Sequence, residues 1–226
     1  MSDSTRSLRV LDVGRKAYAP VLELQESLVE RRKEGSIGDT LVLVEHEPVY
    51  TLGRQADESN VIASSEELHA YDIAVVRTGR GGDVTYHGPG QLVGYPIIHL
   101  SDMGQGPAWY VSKLEETIIR TLAHFGIDAG TDEINRGVWV GKEKIAAIGV
   151  RITRHVTMHG FALNIRTDLA HYAGIVPCGI HDRGVTSMHC FDDQVSFQEV
   201  RDRLVDVLAE TFGFSSIDRV TEECRG

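Results

Sequence analysis

The 226-residue chain has little cysteine, little proline and no long apolar run, and each shortage excludes something. Cys178, Cys190 and Cys224 are odd in number and form no CxxC pair, which argues against both a disulfide framework and a zinc knuckle. No Pro- or Ser-rich linker, charge block or low-complexity tract interrupts the sequence, so a single domain spanning 1–226 is expected. No stretch of 18 apolar residues is present, and the polar start MSDSTRSL lacks the apolar core of a signal peptide. A cytoplasmic protein without membrane association is therefore expected. Basic residues are also in deficit: 23 Lys and Arg stand against 33 Asp and Glu, a formal net charge of −10 that argues against broad nucleic-acid binding. The glycines spell neither GxGxxG nor a phosphate loop ending in Lys-Ser/Thr. There is no HExxH, and His155 with His159 is an isolated i,i+4 pair in a segment, RHVTMHG, that does not read as a helix. No nucleotide site, metal or cofactor is expected.

What is present is an ordinary core-forming composition, 42% hydrophobic and 25% charged. Residues 8–13 read as a first strand, and Tyr18, Val21, Leu22, Gln25, Leu28 and Val29 recur at helical spacing before a stop at Gly35. The run 40–46 reads as a buried strand, and residues 108–125 as a helix with Val111, Leu114, Ile118, Leu122 and Phe125 on one side and Gly126 beyond its end. Residues 137–152 predict a hairpin around a polar GKEK turn, and 161–165 another strand. Ser196 and Glu199 form a capping-box pattern ahead of a helix carrying Phe197, Val200, Leu204, Val207, Leu208 and Phe212 on one face. The last fifteen residues offer no signal. Strands outnumber helices without a repeated strand-helix unit, so the expected class is α/β (α+β), a mixed sheet flanked by helices, and not a doubly wound parallel sheet.

Two segments carry the chemistry. In RGGDVTYHGPGQLVGYP (80–96) the backbone is bare, since six of the sixteen residues from Gly79 to Gly94 are glycine, flanked by strand-like IAVVRT and QLVGYPII. Such a backbone lets a ligand lie against the main chain, and an unliganded glycine-rich hairpin is the plainer alternative. The second is IVPCGI, where Cys178 stands between Pro177 and Gly179 in a loop suited to presenting a side chain. An unperturbed thiol of pKa about 8.5 is only a few per cent thiolate at neutral pH, so a nucleophilic cysteine needs an activator. Lys142, Lys144, His87, His159 and His181 are the candidates, and spacing does not choose among them.

Taken together, EHEPVYTLGR, RGGDVTYHGPGQLVGYP, GVWVGKEKIAAIGVR, HGFALNI and IVPCGI followed by GVTSM, in that order from about residue 40 to 190, resemble the octanoyl-(acyl-carrier-protein):protein octanoyltransferases, the LipB family of lipoate biosynthesis. The resemblance implies the α/β fold of the catalytic domain of lipoate- and biotin-protein ligases. It implies Cys178 as the acyl-thioester nucleophile and Lys144 as its acid/base partner, leaving Lys142 without a role. It further implies acyl binding along Arg80, Gly81, Gly82, Asp83, Val84, Thr85, Tyr86 and His87, along Ala147, Ile148 and Gly149, and along Gly160, Phe161 and Ala162. The activity implied is ATP-independent octanoyl transfer without metal or cofactor. The donor would be octanoyl-acyl carrier protein. The acceptors would be lipoyl domains of 2-oxoacid dehydrogenase E2 subunits and glycine cleavage H protein, and the enzyme a monomer. An ATP-dependent ligase of the same fold is the nearest rival; its pattern has a third glycine after the pair and ends in His-Asp, where this chain has Asp83 and Gly88. A silent acyl-binding protein is the other. For an acidic carrier, Arg54, Arg80, Arg151 and Arg154 are candidate docking residues.

Overall fold

The computed structural model describes residues 6–132, 135–176 and 183–221. The elements run β1 (Ser7–Lys16), α1 (Tyr18–Lys33), β2 (Thr40–His46), β3 (Val49–Leu52), α2 (Ser65–Ala70), β4 (Ala74–Arg77), β5 (Val84–His87), β6 (Gln91–Ile97), α3 (Pro107–His124), β7 (Gly130–Thr131), β8 (Val138–Val140), β9 (Glu143–Thr153), β10 (Val156–Asn164), α4 (Phe197–Phe212) and β11 (Ser216–Thr221). Eight strands form the principal sheet in the order β11-β1-β2-β6-β10-β9-β8-β7, and β4-β3-β5 form a smaller one. β1 runs parallel to both β2 and β11, while the pairings from β2 to β8 are antiparallel, so the sheet is mixed as expected.

The helical periodicities are realised as packing. Leu114, Ile118 and Leu122 of α3 and Leu204, Leu208 and Phe212 of α4 share a core with Leu41, Leu43 and Leu163 of the sheet. On the opposite face Val21, Leu28 and Val29 of α1 pack with Val42, Tyr95 and Ala162. A row of apolar side chains every three or four residues can be dried only by lying on a sheet, and two such helices cover one face while the third covers the other.

Several local expectations are corrected. The strands flanking the glycine-rich segment do not form one hairpin: β4 lies in the small sheet, β6 at the centre of the large one, and the segment contributes β5 between them. Lys144 is not in a turn; the turn is Gly141–Lys142, with Gly141 at φ +58°, and Lys144 is the second residue of β9, opposite Trp139. RHVTMHG opens β10, after a two-residue reversal in which Arg154 and His155 have φ of +49° and +65°, the hand that suits a twisted hairpin. At α4 the Ser196 hydroxyl accepts from the Glu199 N–H at 3.3 Å, whereas a full capping box sits at Ser64 and Glu67 ahead of α2. The C-terminal stretch supplies β11 along β1.

Candidate active site

A cavity of about 250 Å³ opens where β5, β6, β9 and β10 converge. Register decides its shape. Ala162 stands opposite both Ala147 and Val93, and Gly160 opposite Gly149, so small residues line up across β10 and β9 with Val93 of β6 beside them. The backbones leave no slack there: a Cβ on Gly160 would lie 2.2 Å from the Gly94 carbonyl oxygen, and one on Gly149 3.0 Å from that of Gly81. The result is a narrow trough suited to an unbranched chain.

The glycine-rich segment forms the facing wall. Amides of Gly53, Arg54 and Gln55 donate to the carbonyls of Asp83, Arg80 and Gly82 at 3.2, 3.0 and 3.2 Å, and Gly81 donates to Val150 at 3.0 Å. Asp83 accepts from the Asn60 amide group at 3.0 and 2.9 Å, and the Asn60 carbonyl in turn accepts from Val176 N–H at 2.8 Å. The wall is thereby tied to the segment leading into Cys178.

At the other end of the trough the lining is polar and, apart from His159, hydrogen-bonded within itself. The buried Arg80 guanidinium donates to the Thr51 hydroxyl and carbonyl and to the Gly81 carbonyl. His87 Nδ1 donates to Gln91 Oε1 at 2.7 Å, which leaves Nε2 to accept from the Thr51 hydroxyl at 3.2 Å. The Tyr95 hydroxyl lies 2.7 Å from His46 Nε2, and Tyr18 stacks on His87 with ring centroids 6.2 Å apart. Burial holds three imidazoles neutral: His46 is pushed down to about 4, His87 to about 3 and His159 to about 4, the last helped by the Arg80 and Arg151 charges. His159 is itself unusual, at φ +58° in β10 and with neither ring nitrogen hydrogen-bonded. The Tyr18 hydroxyl is pushed up to about 12 by burial, against the pull of Arg80.

Lys144 stands toward the opposite end of β9. Its ammonium lies 4.9 Å from the centre of the Trp139 ring, and its aliphatic stem runs beside Gly137. Its N–H donates to the Gly184 carbonyl and its own carbonyl accepts from Thr186 N–H, both at 3.0 Å. Gly184 lies six positions after Cys178 in the sequence.

Of the residues expected to bind the acyl group, Arg80, Gly82, Asp83, Val84, Thr85 and His87 line the cavity, as do Ala147, Ile148 and Gly149 and, from β10, Gly160, Phe161 and Ala162. Gly81 belongs to the wall through its bond to Val150, outside the lining itself. Tyr86 faces away, because alternation along β5 turns it into the core of the small sheet against Tyr50 and Tyr172. Cys178 and His181 lie outside the described residues, as does Cys224. Lys142 is exposed in its turn and Cys190 is an exposed free thiol. Arg80, offered above for carrier docking, is buried and engaged with Thr51, whereas Arg54, Arg151 and Arg154 are exposed. Sequence reasoning missed Tyr18, Tyr95, Asn135 and Arg136 in the lining; the two tyrosines read locally as ordinary core positions, and only the fold turns them to the cavity. Among the described residues no group of three His, Cys, Asp or Glu is placed to hold a metal ion, and no helix is long and apolar enough to cross a membrane.

Comparison with known proteins agrees with this fold. The family model of the lipoyl protein ligase A/B catalytic domain matches residues 17–209. An octanoyltransferase of Alkaliphilus metalliredigens is 47% identical over 215 residues, covering 94% of this chain and 99% of that protein. The crystal structure of P. falciparum LipL1 in complex with lipoate superposes with a TM-score of 0.75 at 15% identity, over 94% of this chain and 66% of that one. Biotin protein ligase from Aquifex aeolicus, in complex with biotin and ATP, gives 0.57 at 12% identity, over 91% and 70%. These two structures share the fold.

Proposed function

The chain belongs to the lipoyl protein ligase A/B catalytic domain family, and from that premise we propose that it is an octanoyltransferase of protein lipoylation, taking octanoyl from octanoyl-acyl carrier protein through a thioester on Cys178. The acceptor is the ε-amine of a lysine on lipoyl domains, those of 2-oxoacid dehydrogenase E2 subunits and of glycine cleavage H protein. The observation that carries the reading is the placement of Lys144: it borders a trough of small residues and is hydrogen-bonded through its backbone to Gly184 and Thr186, just beyond Cys178 in the chain. Curated relatives bearing the name octanoyltransferase support it.

The chemistry runs in two exchanges. An ammonium beside a thiol stabilises the thiolate, whose sulfur attacks the thioester carbonyl of the donor; the carrier thiol leaves and takes a proton from Lys144. Thioester exchange is nearly balanced. The acceptor lysine, with a pKa of about 10.4, is neutral in only about one molecule in 2,500 at pH 7, so its attack needs a base, and Lys144 accepts the proton as the amide forms and Cys178 is released. Thioester to amide is downhill, which removes the need for ATP. The octanoyl chain lies in the trough over Ala147, Gly149, Gly160 and Ala162, where each buried methylene contributes about 0.8 kcal/mol.

Intact mass spectrometry after mixing with octanoyl-acyl carrier protein, without ATP or metal, tests the reading. An octanoyl adduct on the wild type, absent from Cys178→Ser and discharged by a lipoyl domain, is expected. No adduct, with octanoate and ATP modifying the domain instead, would replace it with the ligase reading; persistence of turnover in Cys178→Ser would remove the thioester step.

A further inference from the structure

Trp139 is almost wholly buried, 5% exposed, and two cations share its ring. The Lys144 ammonium lies 4.9 Å from the ring centre and the Arg183 guanidinium 5.0 Å from it. An aromatic face attracts a cation within about 6 Å of its centre, more strongly where water is excluded. Burial and a hydrogen bond anchor the ring, Trp139 Nε1 donating to the Asn135 carbonyl at 3.0 Å. Arg183 is further held by an ion pair with Asp132, and Lys144 by its place opposite Trp139 in the β8–β9 register. Gly137, at φ +130°, lets β8 approach β9: a Cβ there would stand 2.5 Å from the Ala146 carbonyl oxygen, and only in ordinary contact, 3.4 Å, with Lys144 Cε.

The two cations come from different parts of the chain. Lys144 belongs to β9, whereas Arg183 is the first described residue after the segment bearing Cys178, five positions on. Both seat on one anchored indole. Resting on the octanoyltransferase reading above, we infer that Trp139 is the positioning residue of Lys144, its ring fixing that ammonium and the Arg183 guanidinium against a common reference. The ring acts through Lys144: it restricts the ammonium to a narrow set of orientations, where a flexible lysine stem of four carbons would otherwise range over many.

The test compares Trp139→Leu, Trp139→Phe, Arg183→Gln and Lys144→Ala in a background in which Cys190 and Cys224 are serine, so that iodoacetamide reads Cys178 alone. The rate of alkylation against pH gives the apparent thiol pKa. Trp139→Leu is expected to raise it by about one unit, an alkylation rate at pH 7 about tenfold lower, with kcat falling in parallel. Trp139→Phe, which keeps an aromatic face, is expected to restore the profile to within about threefold of wild type. Arg183→Gln, a partly exposed position that leaves the core intact, should move the profile in the same direction as Leu, by less. Coincidence of the Trp139→Leu and wild-type profiles in folded protein overturns the inference. If that variant does not fold, an unchanged Arg183→Gln profile overturns it. A Lys144→Ala profile identical to wild type would mean that no thiol–ammonium pair exists, and the Lys144 pairing falls with this inference while the octanoyl adduct still decides the transferase reading; a shift in Lys144→Ala without one in Trp139→Leu removes this inference alone.

Discussion

Lys142 and Lys144 stand two residues apart on one hairpin, yet one projects from the turn into water and the other rests on an indole beside the trough. Replacing each by alanine should therefore have unequal effects. Lys144→Ala is expected to lower octanoyl transfer at least about a hundredfold, since in the mechanism proposed above it removes both the charge that favours the thiolate and the proton carrier of each exchange, while Lys142→Ala stays within about twofold. Steady-state kcat/KM with carrier-bound octanoate distinguishes them, and equal losses would contradict the assignment. Histidines give a second prediction at this scale. His46, His87 and His159 are held at about 4, about 3 and about 4, chiefly by burial, whereas an unfolded histidine titrates near 6.5. Between those values the unfolded chain binds protons that the native protein refuses, so stability rises with pH across the window and is lost as pH falls from about 6.5 toward 4. Each unit of depression corresponds to about 1.4 kcal/mol. Urea midpoints should drop clearly between pH 7 and pH 5; a flat profile would show that these imidazoles are not buried as described.

Among the elements, β10 carries the tightest constraint. Gly160 meets the Gly94 carbonyl oxygen at 2.2 Å and Pro96 Cδ at 2.8 Å from an added Cβ, so a single methyl would force β6 and β10 apart at the centre of the principal sheet. Gly160→Ala is expected to cost about 3 kcal/mol or more, read by urea unfolding. The network beneath β5 is the other sensitive place. Thr51→Val removes the hydroxyl that accepts from Arg80 and donates to His87, leaving a buried guanidinium with fewer partners. A loss of about 2 kcal/mol is expected, with the trough distorted because Arg80 Cδ lies 3.1 Å from the Cβ site of Gly149. Unchanged stability would mean that the hydroxyl is dispensable.

For the molecule as a whole, charge distribution matters more than its sum. The chain is acidic overall, yet Arg136 is exposed in the cavity lining and Arg54 and Arg151 are exposed beside the glycine-rich wall. If the donor is an acidic carrier protein, these arginines receive it, and raising NaCl from about 0.05 to 0.5 M should lower kcat/KM for the carrier-bound substrate, since screening lengths shrink to a few ångströms. Octanoyl-pantetheine, lacking the carrier, should respond far less. Equal salt dependence of the two would argue against an arginine rim for docking.

By itself the sequence determined the helices and the class of fold, because periodic apolar faces such as Leu114, Ile118 and Leu122 admit one burial geometry each. The run GGDVTYHG announced a bare backbone by its composition, while Ala147, Ile148, Gly149, Gly160, Phe161 and Ala162 were implied only by the family resemblance. The partner strands were not legible: β5 is only four residues long, and β11 is an edge strand whose pattern has meaning only beside β1. Tertiary structure alone decided that Tyr86 turns away while Thr85 and His87 turn in, that Tyr18 and Tyr95 reach the cavity, and that Lys144 rather than Lys142 meets Trp139. Local periodicity records which side of an element is buried. Which residues from distant segments meet there is set by strand order and register, and those are properties of the assembled sheet.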